Sequence, residues 1–314
     1  VEALNPFPQC VECLTSLAQG SAKLAAGDNP RLKAEARSVA IDIFEHAKDA
    51  GLNSPEVGNR ILRKIKQLSG SVDPYTRVKD QEMALAKEVF SRIEDHIRPD
   101  LRSRISLAVL GNCLDFFKDS EEVLSEIPDQ IERGLSFFYD DVDRLEYFLS
   151  KNPELVLYLT DNSGEIYFDL PLYEYIKERS RRCVLVVKGG ASLNDLTRRE
   201  LQLAGLEDRF DEVADTGTDG VGIDWDRVST EFLNLINSAD LIISKGMANF
   251  ETVYPREMAA PRFFLLKVKC RPVQDYVRAP MDSHLALWWD GIRRKKRETN
   301  GSAPVADNHT SAQI

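Results

Sequence analysis

In the second half of the chain, clusters of small, acidic or basic residues follow short apolar runs. Asp161-Asn162-Ser163-Gly164-Glu165 follows the run 155–160, and Lys188-Gly189-Gly190, with Asn194-Asp195 behind it, follows 183–187. Asp215-Thr216-Gly217-Thr218 follows 212–214, Lys245-Gly246 with Asn249 follows 241–244, and Lys269-Cys270 follows 263–268. Asp161, Asn162 and Asp195 offer the hard oxygen ligands that Mg²⁺ or Mn²⁺ prefers. Such an ion polarises a phosphoryl oxygen and activates water or positions a nucleophile. Glycine-rich turns leave backbone N–H groups free for phosphate oxygens, and Lys245 can neutralise charge developing on a transferred group. The chemistry that suits this combination is phosphate handling.

The apolar runs explain why these clusters meet. Continuous apolar segments separated by amphipathic stretches indicate βαβ units and a parallel sheet buried on both faces. In such sheets ligands bind beyond the carboxyl ends of the strands, where every cluster falls. Taken singly, Asp, Asn and Gly after a strand are turn and N-cap residues, and Asn194 or Asp195 can cap a helix running from 196 to 206. Repetition at one edge of the sheet favours a site. Residues 30–149 carry helical periodicity without β-branched runs, with a helix start at Ser54-Pro55-Glu56 and a turn at 70–75 before the pattern resumes at Lys79. The expected fold is α/β: a mostly helical N-terminal domain (1–150), a parallel-sheet domain (151–290) carrying the site, and a polar, flexible tail (291–314).

Other chemistries lack their motifs. There is no Gly-x-x-x-x-Gly-Lys-Ser/Thr loop, no Gly-x-Gly-x-x-Gly after a strand and no Gly-x-Ser-x-Gly, and His46, His96, His284 and His309 lack zinc-protease spacing. A net charge of −10 argues against broad contact with a nucleic-acid backbone. No apolar run is long enough to span a bilayer, no signal peptide is visible, and an odd count of five cysteines does not resemble a secreted disulfide framework. A cytoplasmic protein with reduced thiols is expected; the oligomeric state is not legible.

At these residues the chain resembles the DUF89 family of damage-control phosphatases. The resemblance is carried by Asp161-Asn162-Ser163-Gly164-Glu165-Ile166-Tyr167-Phe168-Asp169, Lys188-Gly189-Gly190 with Asn194-Asp195-Leu196-Thr197, Asp215-Thr216-Gly217-Thr218, and Lys245-Gly246-Met247-Ala248-Asn249-Phe250-Glu251-Thr252. Asp73-Pro74-Tyr75 with Lys79, and Gly111-Asn112 with Asp115-Phe116, resemble the helical-domain motifs, and Cys10-Val11-Glu12-Cys13 resembles the cysteine pair of the prokaryotic branch. The resemblance implies a metal-dependent phosphatase with a Rossmann-like α/β domain and an appended helical domain, acting on small, damaged or surplus phosphometabolites such as sugar phosphates. It implies that Asp161, Asn162 and Asp195 hold a divalent ion (Mn²⁺, Mg²⁺, Co²⁺ or Ni²⁺) and that Lys245 binds phosphate. Asn249 and Glu251 would line the pocket, and Gly111, Asn112 and Asp115 would face it from the helical domain, beside Glu165, Lys188, Asn194 and Asp215 at the strand ends. Met247 and Met83 depart from the family pattern. For Asp161 the roles of nucleophile and of ligand both stay open.

Cys10 and Cys13 have the spacing of a metal or redox pair, with Cys270 a candidate third thiol; buried unreactive thiols are the competing reading. Two further functions compete with the phosphatase. A metal-dependent phosphometabolite-binding regulator would bind ligand without releasing phosphate. A methyltransferase needs a glycine-rich nucleoside loop where Asp161-Asn162 stands.

Overall fold

The computed structural model describes residues 9–112 and 134–291. Asp115 and Cys113, and the tail from residue 292 onward, lie outside the described residues. The chain begins with three helices, α1 (Gln9–Ala26), α2 (Pro30–Ala50) and α3 (Ser54–Ser69), which share an apolar core around Leu14, Ala18, Phe44 and Ile61. The start of α3 is set by Asn53 and not by Ser54. The Asn53 Oδ1 accepts from the Glu56 N–H at 3.0 Å, and Glu56 Oε2 accepts from the Asn53 N–H at 2.8 Å, a reciprocal cap that satisfies two otherwise free donors. Helices α4 (Thr76–Ile93) and α5 (Leu101–Gly111) follow the expected turn.

The sheet has seven strands in the order β1-β7-β6-β5-β2-β3-β4. These are β1 (Phe137–Asp140), β2 (Val156–Leu159), β3 (Cys183–Val187), β4 (Val213–Asp215), β5 (Leu241–Lys245), β6 (Arg262–Lys267) and β7 (His284–Trp289). The expected apolar runs are the five parallel strands β2 to β6. The sequence reading missed β1, which falls in the stretch expected to be helical, and β7, which pairs antiparallel with β6 and parallel with β1. A short Phe-Phe-Tyr-Asp strand at the sheet edge carries too little alternation to stand out from a helical pattern. The intervening helices are α6 (Val142–Leu149), α7 (Ile166–Lys177), α8 (Arg198–Ala204), α9 (Thr230–Asn237), α10 (Met247–Val253) and α11 (Arg271–Val277).

Alternate strand residues separate two cores, as a sheet buried on both faces requires. Val156 and Tyr158 face a cluster with residues of α4, α5 and α7, whereas Leu157 and Leu159 face one with residues of α9 and α10. Met83, Val89, Ile105 and Val109 of α4 and α5 join the first of these, while α1 to α3 keep a separate core. Among the described residues no helix is long and apolar enough to cross a membrane.

Helix α4 is also tied to the sheet layer by charge. Lys79, 1% exposed, places its ammonium 2.7 Å from Asp73 Oδ2 and 2.9 Å from Glu200 Oε1. Removing one member of a buried pair leaves a charge without compensation, which costs about 3–5 kcal/mol. Lys79→Ala is therefore expected to lower unfolding stability by about 3 kcal/mol in urea titration, with Glu200→Gln recovering part of the loss.

Candidate active site

Register brings the strand ends level. Leu159 pairs with Val186 of β3 and with Ser244 of β5, so Asp161, Lys188 and Gly246 all emerge at the same edge. The chain leaves β2 toward β3 and β4 on one side and later returns through β5 and β6 on the other. The ends of β2 and β5 thus flank the topological switch point, where open α/β sheets bind ligands.

Backbone bonds then zip the first two loops together. Asn162 and Asp195 form an isolated antiparallel bridge, Leu196 N–H donates to Asp161 O at 2.9 Å, and Ser163 N–H donates to Asn194 O at 2.8 Å. Asp195 is not a helix cap: α8 begins after Thr197, whose side chain and backbone are bonded by Glu200. The carboxylate of Asp195 is free of that duty, and its Oδ2 is buried without a hydrogen bond, with the Lys188 ammonium 3.5 Å away.

Glu165 organises the amides. Its Oε1 accepts from Asn112 Nδ2 at 2.8 Å and from Asn162 Nδ2 at 2.7 Å, so both amides turn their oxygens elsewhere. The second Asn112 bond, to Asp161 Oδ2, is 2.8 Å, and its Oδ1 is buried without a partner. The Asn162 amide nitrogen is thereby committed to Glu165. The other Glu165 oxygen, Oε2, accepts from Lys245 Nζ at 3.0 Å, and Asp169 Oδ1 accepts from the same nitrogen at 2.6 Å.

Crowded carboxylates in a space short of water resist ionisation. Burial pushes Asp161 up to about 8, with Glu165 and Asp195 adding to the shift and Lys269 and Lys188 opposing it. Burial likewise raises Asp195 to about 6 against the pull of Lys188. Asp169 rises to about 6 through burial, opposed chiefly by Lys245. A divalent ion would compensate this surplus. Among the described residues no three His, Cys, Asp or Glu side chains stand at cation-holding geometry. An ion at this edge would be met by two carboxylates and an amide; Asp195 Oδ2, which pairs with Lys188 but has no hydrogen bond, and the Asn162 amide fit that donor set.

The other expected residues are placed as follows. Lys245 is fully buried and held by Glu165 and Asp169. Asn249 is also consumed internally: its Nδ2 donates to Thr160 O and Lys245 O, and its Oδ1 accepts from Lys188. Gly111 packs against Phe168, whose Cβ would lie 2.9 Å from any added methyl. Asp215 accepts from the Gly217 N–H at 2.8 Å and serves its turn. Glu251, buried and raised to about 8 by that burial, lies within electrostatic range of Cys13 and Cys270, which also sense each other and Cys10. Burial pushes the Cys270 thiol up to about 11, and among the described residues Cys10, Cys13 and Cys270 form no disulfide. Met83 packs in the core, and Met247 Sδ accepts from the Lys269 N–H at 3.4 Å.

Two residues enter that the sequence reading did not choose. Lys269 is exposed at the end of β6, donates to Asn112 O at 2.6 Å and acts electrostatically on Asp161. Its place after an apolar run was visible, but nothing ranked it above Lys245. Glu82, on α4, accepts both bonds from Asn194 Nδ2, at 2.9 and 3.1 Å, and burial lifts it to about 7. A single Glu on a helix gives no sequence signal.

A Rossmann-like sheet with carboxylates and amides gathered at its switch point defines an α/β protein whose polar side chains stand where open sheets bind ligands. The match to the damage-control phosphatase ARMT1-like domain, over residues 7–285, shows that the chain belongs to that family. A damage-control phosphatase of Pyrococcus horikoshii is 32% identical over 87% of this chain and 94% of its own length. One of Archaeoglobus fulgidus is 30% identical over 85% and 93%. The crystal structure of a DUF89 family protein from Pyrococcus horikoshii superposes with a TM-score of 0.81 at 29% identity, covering 90% of this chain and 98% of that one.

Two substitutions separate support from chemistry. Lys245→Met should destabilise the fold by about 3–5 kcal/mol in denaturant titration, because Glu165 and Asp169 lose their shared cation. Gly246 has φ +78°, and a Cβ there would stand 1.9 Å from Asp161 Oδ2. Gly246→Ala should displace Asp161 and weaken Mn²⁺ binding, read by calorimetry, by at least about tenfold.

Proposed function

We propose that this chain is a divalent-cation-dependent phosphatase of small phosphorylated metabolites. The reading is carried by one observation: Asp195 Oδ2 is buried without a hydrogen bond beside Asp161 and an Asn162 amide whose nitrogen is already committed to Glu165. The relatives named damage-control phosphatases support the same reaction.

Asp161, Asn162 and Asp195 would hold the ion, which when bound supplies Lewis acidity toward a phosphoryl oxygen. Glu165 keeps the Asn162 and Asn112 amides oriented. Lys188 balances Asp195 from within the protein, and Lys269, the exposed lysine tied to Asn112, is placed to meet the charge of a phosphate monoester. Asn194, held by Glu82, fixes the turn that presents Asp195.

The test is a screen of aryl and sugar phosphates with Mg²⁺, Mn²⁺, Co²⁺ and Ni²⁺ varied separately. Asp161→Ala and Asp195→Ala are expected to lower kcat/KM by at least about 100-fold while circular dichroism is unchanged. Lys269→Ala should act mainly on KM for the phosphorylated substrate. Full activity in both aspartate variants would remove the assigned site, and saturable ligand binding without phosphate release would favour a regulator.

A further inference from the structure

One face of α3 holds two loops of the site at once. Asn59, Arg63 and Lys66 follow helical spacing and share that face. Asn59, 3% exposed, pairs with Val221 as a neighbouring strand would: its Oδ1 accepts from the Val221 N–H at 2.6 Å and its Nδ2 donates to the Val221 carbonyl at 3.3 Å. Arg63 donates through Nε to Asp219 Oδ1 at 2.9 Å and through Nη2 to Asp224 Oδ2 at 2.6 Å. Lys66 Nζ reaches Asp219 Oδ2 at 2.9 Å and also the carbonyl of Ala191. Ala191 belongs to the turn between β3 and α8 that carries Asp195. Asp219, Val221 and Asp224 belong to the connection between β4 and α9, which has no regular structure of its own.

The grip on Val221 bears on the ion site through one lysine. The next residue, Gly222, offers its carbonyl to Lys188 Nζ at 2.6 Å, and Asn249 Oδ1 takes the same nitrogen at 3.1 Å. With these two acceptors in place the ammonium stops 3.5 Å from Asp195 Oδ2, which has no hydrogen bond. Gly222 is wedged from the other side as well, since a Cβ there would stand 2.5 Å from Ala248 O. If the loop drifts, the Gly222 acceptor leaves and Lys188 closes on the free Asp195 oxygen, because a buried ammonium takes the nearest carboxylate. The position needed by an ion is then filled by the protein's own cation.

We propose that Asn59, Arg63 and Lys66 are positioning residues that hold Lys188 off Asp195 and so set the affinity of the site for its divalent ion. The proposal rests on the reading of Asp195 as an ion ligand. It makes the helical layer a determinant of metal affinity.

The test measures Mn²⁺ binding to the full-length chain directly, by calorimetry or by the electron paramagnetic resonance signal of free Mn²⁺. Asn59→Ala is expected to weaken Mn²⁺ binding about tenfold, the scale seen when outer partners of a metal site are lost. Arg63→Ala should act in the same direction. In a Lys188→Met background Asn59→Ala should change Mn²⁺ affinity by less than about twofold, because the group it releases is gone. Should Asn59→Ala fail to fold, Arg63→Lys, which keeps the charge and loses the fork, carries the same comparison. Unchanged Mn²⁺ affinity in the folded variant, or an equal loss in the Lys188→Met background, overturns the clamp while leaving the ion site standing. Absence of Mn²⁺ binding by the unsubstituted chain overturns the ion site and the clamp with it.

Discussion

The Lys245 ammonium lies between Glu165 and Asp169 in the interior, and all three groups are buried. Burying carboxylates at the end of a sheet is costly unless a cation shares the space. Lys245 supplies that cation and raises the tolerance of the site for acidic groups. Glu165 then remains an acceptor toward Asn112 and Asn162, and both amides are oriented as a consequence. The side chains at the switch point therefore depend on a lysine that does not itself face the opening. Its own affinity for the proton rises for the same reason, through Asp169 and Glu165 and against its burial.

Around that interaction the backbone does most of the placing. Parallel register sets the ends of β2, β3 and β5 level, and the bridge between Asn162 and Asp195 joins two loops that are distant along the chain. Close approach without a side chain completes the arrangement at Gly246, where the left-handed backbone and the Asp161 carboxylate leave room for hydrogen alone. The helical layer meets this edge largely through polar contacts. Helices α1 to α3 keep a core of their own, while Asn59, Arg63, Lys66 and Lys79 reach across to the loops and to α8. Such contacts specify geometry more strongly than they add stability.

The sheet was legible where its strands are continuous apolar runs, and the site was legible as a place because polar clusters recur after those runs. Asn162 and Asp195 bridge, with Asp161 in electrostatic range of Asp195. Strands β1 and β7 escaped because one is four residues long and the other lies beyond the last βα unit, where the parallel pattern ends. The capping explanation of Asn194 and Asp195 was a sound reading of the local chain, and it fails only because Thr197 and Glu200 perform that cap.

Residue type and order along the chain determine which elements form, which faces are apolar and which edge gathers oxygen donors, since each of these follows from local periodicity and the chemistry of single side chains. What each charged group does is decided in three dimensions. Lys245 and Lys269 both follow strands, yet one is enclosed between two carboxylates and the other stands in solvent beside Asn112. The partners of Asn249, Asp215 and Glu82 are likewise visible only in the folded chain. Burial and partner geometry set the cost of a charge and the direction of an amide, and both arise from residues far apart in sequence. For Asp161, Asn162 and Asp195 the two levels agree, because a parallel sheet delivers its strand ends to one place whatever lies between them.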